Sequence, residues 1–82
     1  MRVFITGASS GIGAALSRAF AARGDTLGLV ARNREKLIAF TQTLPCSEKH
    51  IPYAVDVTDR DALLHAAADF ESRGETDLVI AS

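Results

Sequence analysis

Eight residues near the start, Thr6-Gly7-Ala8-Ser9-Ser10-Gly11-Ile12-Gly13, constrain the fold more than any other stretch. Half of the chain's six glycines fall here, between the apolar run Val3-Phe4-Ile5 and a segment with helical spacing. Glycine weakens strands and helices alike, so such a density calls for a backbone that must turn sharply or let something approach closely.

The surrounding pattern places these glycines at a strand-to-helix turn. Arg2 to Ile5 reads as a buried strand. From Gly11, residues Ile12, Ala15, Leu16, Ala19 and Phe20 form one helical face, closed by Arg23-Gly24. Thr26 to Ala31 reads as a second strand, and Asn33 caps a helix carrying Leu37, Phe40 and Leu44 until Pro45 stops it. Ile51 to Val55 is a third strand, with a proline that suits an edge or a strand start. Thr58 and Asp61 resemble a capping box ahead of a third helix bearing Leu63, Ala67 and Phe70, which Gly74 ends. Asp77 to Ala81 is a fourth apolar run. The order β-α-β-α-β-α-β, with helix-length crossovers, predicts parallel strands in a layered α/β fold.

Composition narrows the function. A net charge of −1 over 82 residues leaves no basic footprint for nucleic acid and no polybasic membrane patch. The single cysteine, Cys46, excludes an internal disulfide and a cysteine-based zinc cage, and it fits a reducing, cytoplasmic setting. Cys46 reads as a small buried or loop residue, and His50 and His65 as surface or packing residues. No metal site is expected.

A helix N-terminus offers free N–H groups and a partial positive charge to an anion. For a diphosphate to use it, Gly7 makes the turn, Gly11 admits the close approach and Gly13 lets helix and strand pack. Ser9 and Ser10 add hydroxyl donors. Thr6 to Gly13 also resembles the T-G-x-x-x-G-[IL]-G motif of the short-chain dehydrogenase/reductase family. That resemblance implies a Rossmann-type three-layer fold, of which residues 1–82 are the N-terminal half of a single NAD(P)-binding domain. It also implies that Gly7, Ser9, Ser10, Gly11, Ile12 and Gly13 cradle the diphosphate, while Asp56 accepts from the adenine amino group and the Val57 backbone meets the ring.

The end of the second strand reads Ala31-Arg32-Asn33-Arg34. It carries no acid for a ribose diol, but it has cations for a 2′-phosphate, so NADP is expected rather than NAD. Arg32, at the strand end, is the first candidate for that phosphate, with Asn33 beside it and Arg34 second. Some NADP-preferring relatives also carry a basic residue inside the glycine loop, where this chain has Ser10.

The resemblance covers the whole chain but only the front third of the family's usual length. It implies an oxidoreductase that interconverts a carbonyl and an alcohol on a small molecule, homo-oligomeric when intact. The family's catalytic Ser and Tyr-x-x-x-Lys lie further on. The only tyrosine here, Tyr53, is followed four residues later by Val57, so it reads as a packing residue and no catalytic residue is expected. Ala81 and Ser82 stand where the family carries two asparagines, and the stop at Ser82 reads as truncation. A non-catalytic dinucleotide-binding or regulatory module shares every feature. A methyltransferase-like domain would need an acid after the second strand.

The fourth strand would be an open apolar edge. An isolated 1–82 polypeptide is therefore expected to self-associate or to be marginally stable. Sedimentation and thermal melting check this, and a monomer with a cooperative, high-temperature melt would contradict it.

Overall fold

The computed structural model describes residues 1–82. The elements run β1 (Arg2–Thr6), α1 (Gly11–Ala22), β2 (Thr26–Ala31), α2 (Arg34–Gln42), β3 (Ile51–Ala54), α3 (Arg60–Ser72) and β4 (Leu78–Ala81), with a 3-10 turn at Ser47–Lys49. The four strands form one parallel sheet in the order β3-β2-β1-β4. This is the Rossmann-type arrangement anticipated from the sequence.

Strand alternation divides the core. Val3 and Ile5 of β1, with Leu27 and Leu29 of β2, face α1 and α2 and pack with Ala21, Leu37 and Leu44. Phe4 and Val30 point the other way, against Ala66 and Phe70 of α3. Each side chain in a strand flips face relative to its neighbour, so two helical layers sandwich the sheet.

Gly28, paired with Phe4 in register, is a packing requirement. A Cβ on Gly28 would sit 2.9 Å from ring carbons of both Phe4 and Phe70. The two rings lie tilted with centroids 5.8 Å apart, a favourable aromatic geometry. Behind them the Arg2 guanidinium stacks 3.9 Å from the Phe70 centroid. Tyr53 packs at 6.0 Å from Phe4, and its hydroxyl donates to Asp69 at 2.6 Å, as befits a structural tyrosine.

His50 is a packing residue with a specific task. It is buried, its Nδ1 accepts from the Leu27 N–H at 3.1 Å, and its Nε2 donates to the Pro45 carbonyl at 2.8 Å. Leu27 thus has a partner where no strand reaches it, as buried backbone donors require. His65 is exposed on α3, and Cys46 is exposed in a loop with φ of 53°. At the other end of β1, the chain's α-ammonium donates to buried Asp25 at 2.7 Å and Arg23 lies 3.3 Å from the same carboxylate. The ammonium holds the Asp25 carboxyl below the usual carboxylate range despite burial.

Three expectations are corrected. The buried face of α1 is Gly13, Ala14, Ser17 and Ala21, whereas Ile12, Ala15 and Ala19 are exposed and Leu16 is half-buried. Small residues let the helix approach closely, and the Ser17 hydroxyl is absorbed by the Gly13 carbonyl at 2.7 Å, so a tally of apolar side chains picks the wrong face. The N-cap of α3 is Asp59, which accepts from the Ala62 N–H at 3.2 Å. Thr58 is instead drawn to Asp56, donating to it from both backbone and hydroxyl. Finally, α2 ends at Gln42, two residues before Leu44, because Thr43 and Leu44 close the helix through tight bonds to Phe40 and Thr41.

The Gly28→Ala variant is expected to destabilise the protein by about 1–3 kcal/mol through overpacking against Phe4 and Phe70. Chemical denaturation measures this, and an unchanged midpoint would contradict the packing role.

Candidate functional site

In a parallel sheet every strand ends on the same edge, so the turns after β1, β2, β3 and β4 gather there. At this edge lies an open groove of about 470 Å³ lined by Gly7, Ser9, Ser10, Ala31, Arg32, Asn33, Lys36, Val55, Val57 and Ser82. Six of the predicted binding residues line it: Gly7, Ser9, Ser10, Arg32, Asn33 and Val57.

Each glycine of the loop has a distinct physical reason. Gly7 has φ of 63°, and a Cβ there would press to 3.0 Å from the Ser82 carbonyl oxygen. A Cβ on Gly13 would lie 2.0 Å from the Gly7 carbonyl oxygen, so the helix start and the turn can meet only without it. Gly11, at φ of 55°, faces open space with no atom within 4 Å of its Cβ position. Gly7 and Gly11 occupy left-handed conformations that other residues adopt only at a cost.

The loop also leaves donors unused. No side chain caps α1, and the first bonded amide of the helix is Ala14, to the Ser10 carbonyl at 3.2 Å. The N–H groups of Gly11, Ile12 and Gly13 donate to no acceptor of the chain. These amides, with the open space over Gly11, fit a bound phosphate group. Ile12 sends its side chain outward, 74% exposed, and can contribute to such a site only through its backbone.

On the β2 and β3 side, Arg32 and Asp56 come together. The Arg32 Nε lies 3.7 Å from an Asp56 carboxylate oxygen, and both side chains are solvent-accessible. Asp56 accepts from the Thr58 backbone and hydroxyl at 2.9 and 2.7 Å. These bonds, then Arg32, hold its carboxyl below the usual carboxylate range. Asn33, which lines the groove, caps α2 by accepting from the Lys36 N–H at 3.0 Å, and its amide NH₂ has no partner in the chain. Arg34, the second cation expected from sequence, lies elsewhere, in a small cleft with Leu37, Ile38, Pro52 and Ala54. The cation that lines the groove beside Arg32 is Lys36. Its position three residues beyond the Asn33 cap was available as a signal, since the cap fixes the first turn at the groove.

Tyr53 lies outside the groove. Burial and the bond to Asp69 push its hydroxyl pKa far up, which fits its packing role. Beside the groove an apolar cleft of about 460 Å³ runs between α3 and β4, where Leu63, Leu64 and Val79 stand partly or fully exposed.

The profile of the family described as short chain dehydrogenase matches residues 1–82. The chain belongs to the short-chain dehydrogenase family. It is 35% identical over 79 residues to an NADPH-dependent pterin aldehyde reductase of Arabidopsis thaliana, covering 95% of this chain and 33% of that protein. A short chain dehydrogenase from Bacillus anthracis superposes with a TM-score of 0.91 at 25% identity, over 99% of this chain and 33% of the other. A 3-ketoacyl-ACP reductase from Sinorhizobium meliloti gives a TM-score of 0.85 at 31% identity, over 96% and 32%. The chain spans a quarter to a third of the length of the curated relatives it matches. No helix of this short-chain dehydrogenase segment is long and apolar enough to cross a membrane.

The Gly13→Ala variant is expected to lose dinucleotide binding and to unfold at lower temperature, because the Gly7 carbonyl must shift to admit the methyl group. Calorimetric titration and a thermal melt read the two effects. A variant that binds and melts like the parent would remove Gly13 from the loop's architecture.

Proposed function

We propose that this chain is the cofactor-binding part of an NADP(H)-dependent oxidoreductase that interconverts a carbonyl and an alcohol on a small molecule. The observation that carries this reading is the groove itself. One end presents unpaired helix amides and the other presents cations, with no carboxylate at the end of β2. The similarity to an NADPH-dependent aldehyde reductase supports both the cofactor and the reaction class.

In this reading the amides of Gly11, Ile12 and Gly13, with the hydroxyls of Ser9 and Ser10, hold the diphosphate. Gly7 sets the turn that aims them. Arg32 meets the 2′-phosphate, and the free amide of Asn33 donates beside it. One Asp56 carboxylate oxygen is occupied by Thr58, and the other, which faces Arg32 at 3.7 Å, turns to the adenine amino group when Arg32 leaves it for the 2′-phosphate. The Val57 backbone faces the ring. Nicotinamide, when bound, supplies or accepts the hydride. Residues 1–82 then form the N-terminal half of a single nucleotide-binding domain, and the acid–base residues belong to the other half. The intact protein is a cytoplasmic homo-oligomer on this reading, which a single exposed cysteine suits.

The Arg32→Asp variant tests the cofactor. NADPH affinity is expected to fall by roughly tenfold or more, because a charge-assisted bond is replaced by repulsion. NADH affinity is expected to hold or to rise, since a carboxylate at this place can grip a ribose diol. Equal loss for both nucleotides, or loss for neither, would overturn the role given to Arg32.

A further inference from the structure

We propose that His50 is an acid-sensitive clasp: its neutral ring fastens the connection between α2 and β3 to the start of β2, and protonation releases it. The geometry fixes which nitrogen carries the hydrogen. The Leu27 N–H can only donate, so Nδ1, at 3.1 Å from it, must be bare. The Pro45 carbonyl can only accept, so Nε2, at 2.8 Å, must carry the hydrogen. The residue is only 5% exposed. Lys49 also holds this connection, its ammonium donating to the Gly24 carbonyl at 2.8 Å, but that bond is open to solvent. The clasp lies at the edge where β2 and β3 begin, opposite the groove, so it stands apart from the cofactor reading.

A second proton has no place in this arrangement. On Nδ1 it would meet the Leu27 N–H donor against donor, and that amide would lose its acceptor. The imidazolium would also lack a counter-charge, because no carboxylate pairs with the ring. Its charged neighbours on the 3-10 turn are Glu48 and Lys49, and the Lys49 cation is turned to Gly24. Before β2, Asp25 is committed to the α-ammonium at 2.7 Å and to Arg23, just after α1, at 3.3 Å. The charges of α2, Arg34, Glu35 and Lys36, stand at its start, the end remote from Pro45. The titratable group of β3, Tyr53, gives its hydroxyl to Asp69 of α3. A buried charge without a partner is costly, so proton uptake favours the open connection and the folded state weakens as pH falls. Leu44, next to Pro45, packs in one core with Leu27 and Leu37, so release loosens that core as well.

The test is urea unfolding of the full chain and of its His50→Asn variant between about pH 7.5 and about pH 5.5, together with NMR of the imidazole nitrogens. Asn puts an oxygen acceptor where Nδ1 stands and does not titrate. For the parent, the unfolding constant is expected to rise roughly tenfold over this range, as follows when an imidazole that titrates near pH 6.5 in the unfolded chain takes up its proton only there. His50→Asn is expected to abolish the rise. Asp25, Asp69 and Glu71, whose partners hold their carboxyls low, lose that stabilisation only at lower pH. In the NMR spectra, exposed His65 is expected to shift continuously as it titrates. The folded-state His50 signals are expected to keep the bare-Nδ1 pattern and to fade in place. These spectra need only the parent, so they decide the matter even if His50→Asn does not fold. A His50 that shifts in step with His65 while the fold persists would refute the clasp, and so would a tenfold rise that survives in His50→Asn.

Discussion

The contact between Gly13 and the Gly7 carbonyl is the constraint from which the rest of the site follows. With only hydrogen at Gly13, α1 begins directly beneath the turn that leaves β1. Had a side chain stood there, the helix would be forced outward and its first amides would no longer face the turn. The same close approach explains the buried face of α1. Gly13, Ala14, Ser17 and Ala21 are small because larger residues would lift the helix off the sheet. Ser17 is buried without cost to polarity because its hydroxyl bonds back to the Gly13 carbonyl, one turn earlier.

This origin explains which parts of the fold were legible in the sequence. Strands show as compact apolar runs, and β1 to β4 are found within a residue or two of their expected bounds. The glycine loop is legible because its chemistry is local: Gly7 and Gly11 do take left-handed conformations. The face of α1 is not legible from hydropathy, since a close-packed helix buries its smallest residues and exposes Ile12. His50 is legible as a packing residue, but its bridge from the Leu27 N–H to the Pro45 carbonyl depends on how the 3-10 turn returns to the sheet. The exchange of caps between Thr58 and Asp59 has a similar cause. Asp56 competes for Thr58, and only the folded loop decides the winner.

The candidate site shows the same division between local and non-local information. Residues of the loop are placed by sequence because they are contiguous. Those from α2 are not, because which side of a helix faces the groove depends on its docking angle. Arg34 and Lys36 are two residues apart, so they project in widely different directions from one helix. Charge counting sees two equivalent cations there, and docking makes one of them a neighbour of β3 and the other a wall of the groove.

The strand order gives these local choices a common purpose. Placing β1 between β2 and β4 sends α1 and α2 to one face of the sheet and α3 to the other. The chain therefore splits its layers beside β1, at the very edge where the glycine loop ends. Brought together there are the unpaired amides of α1, the cations after β2 and the carboxylate after β3. Without a ligand the nearest cation and carboxylate, Arg32 and Asp56, meet each other. In the proposed function, a dinucleotide that separates them exchanges a weak, solvent-screened pair for two specific contacts, one at each end of its adenosine.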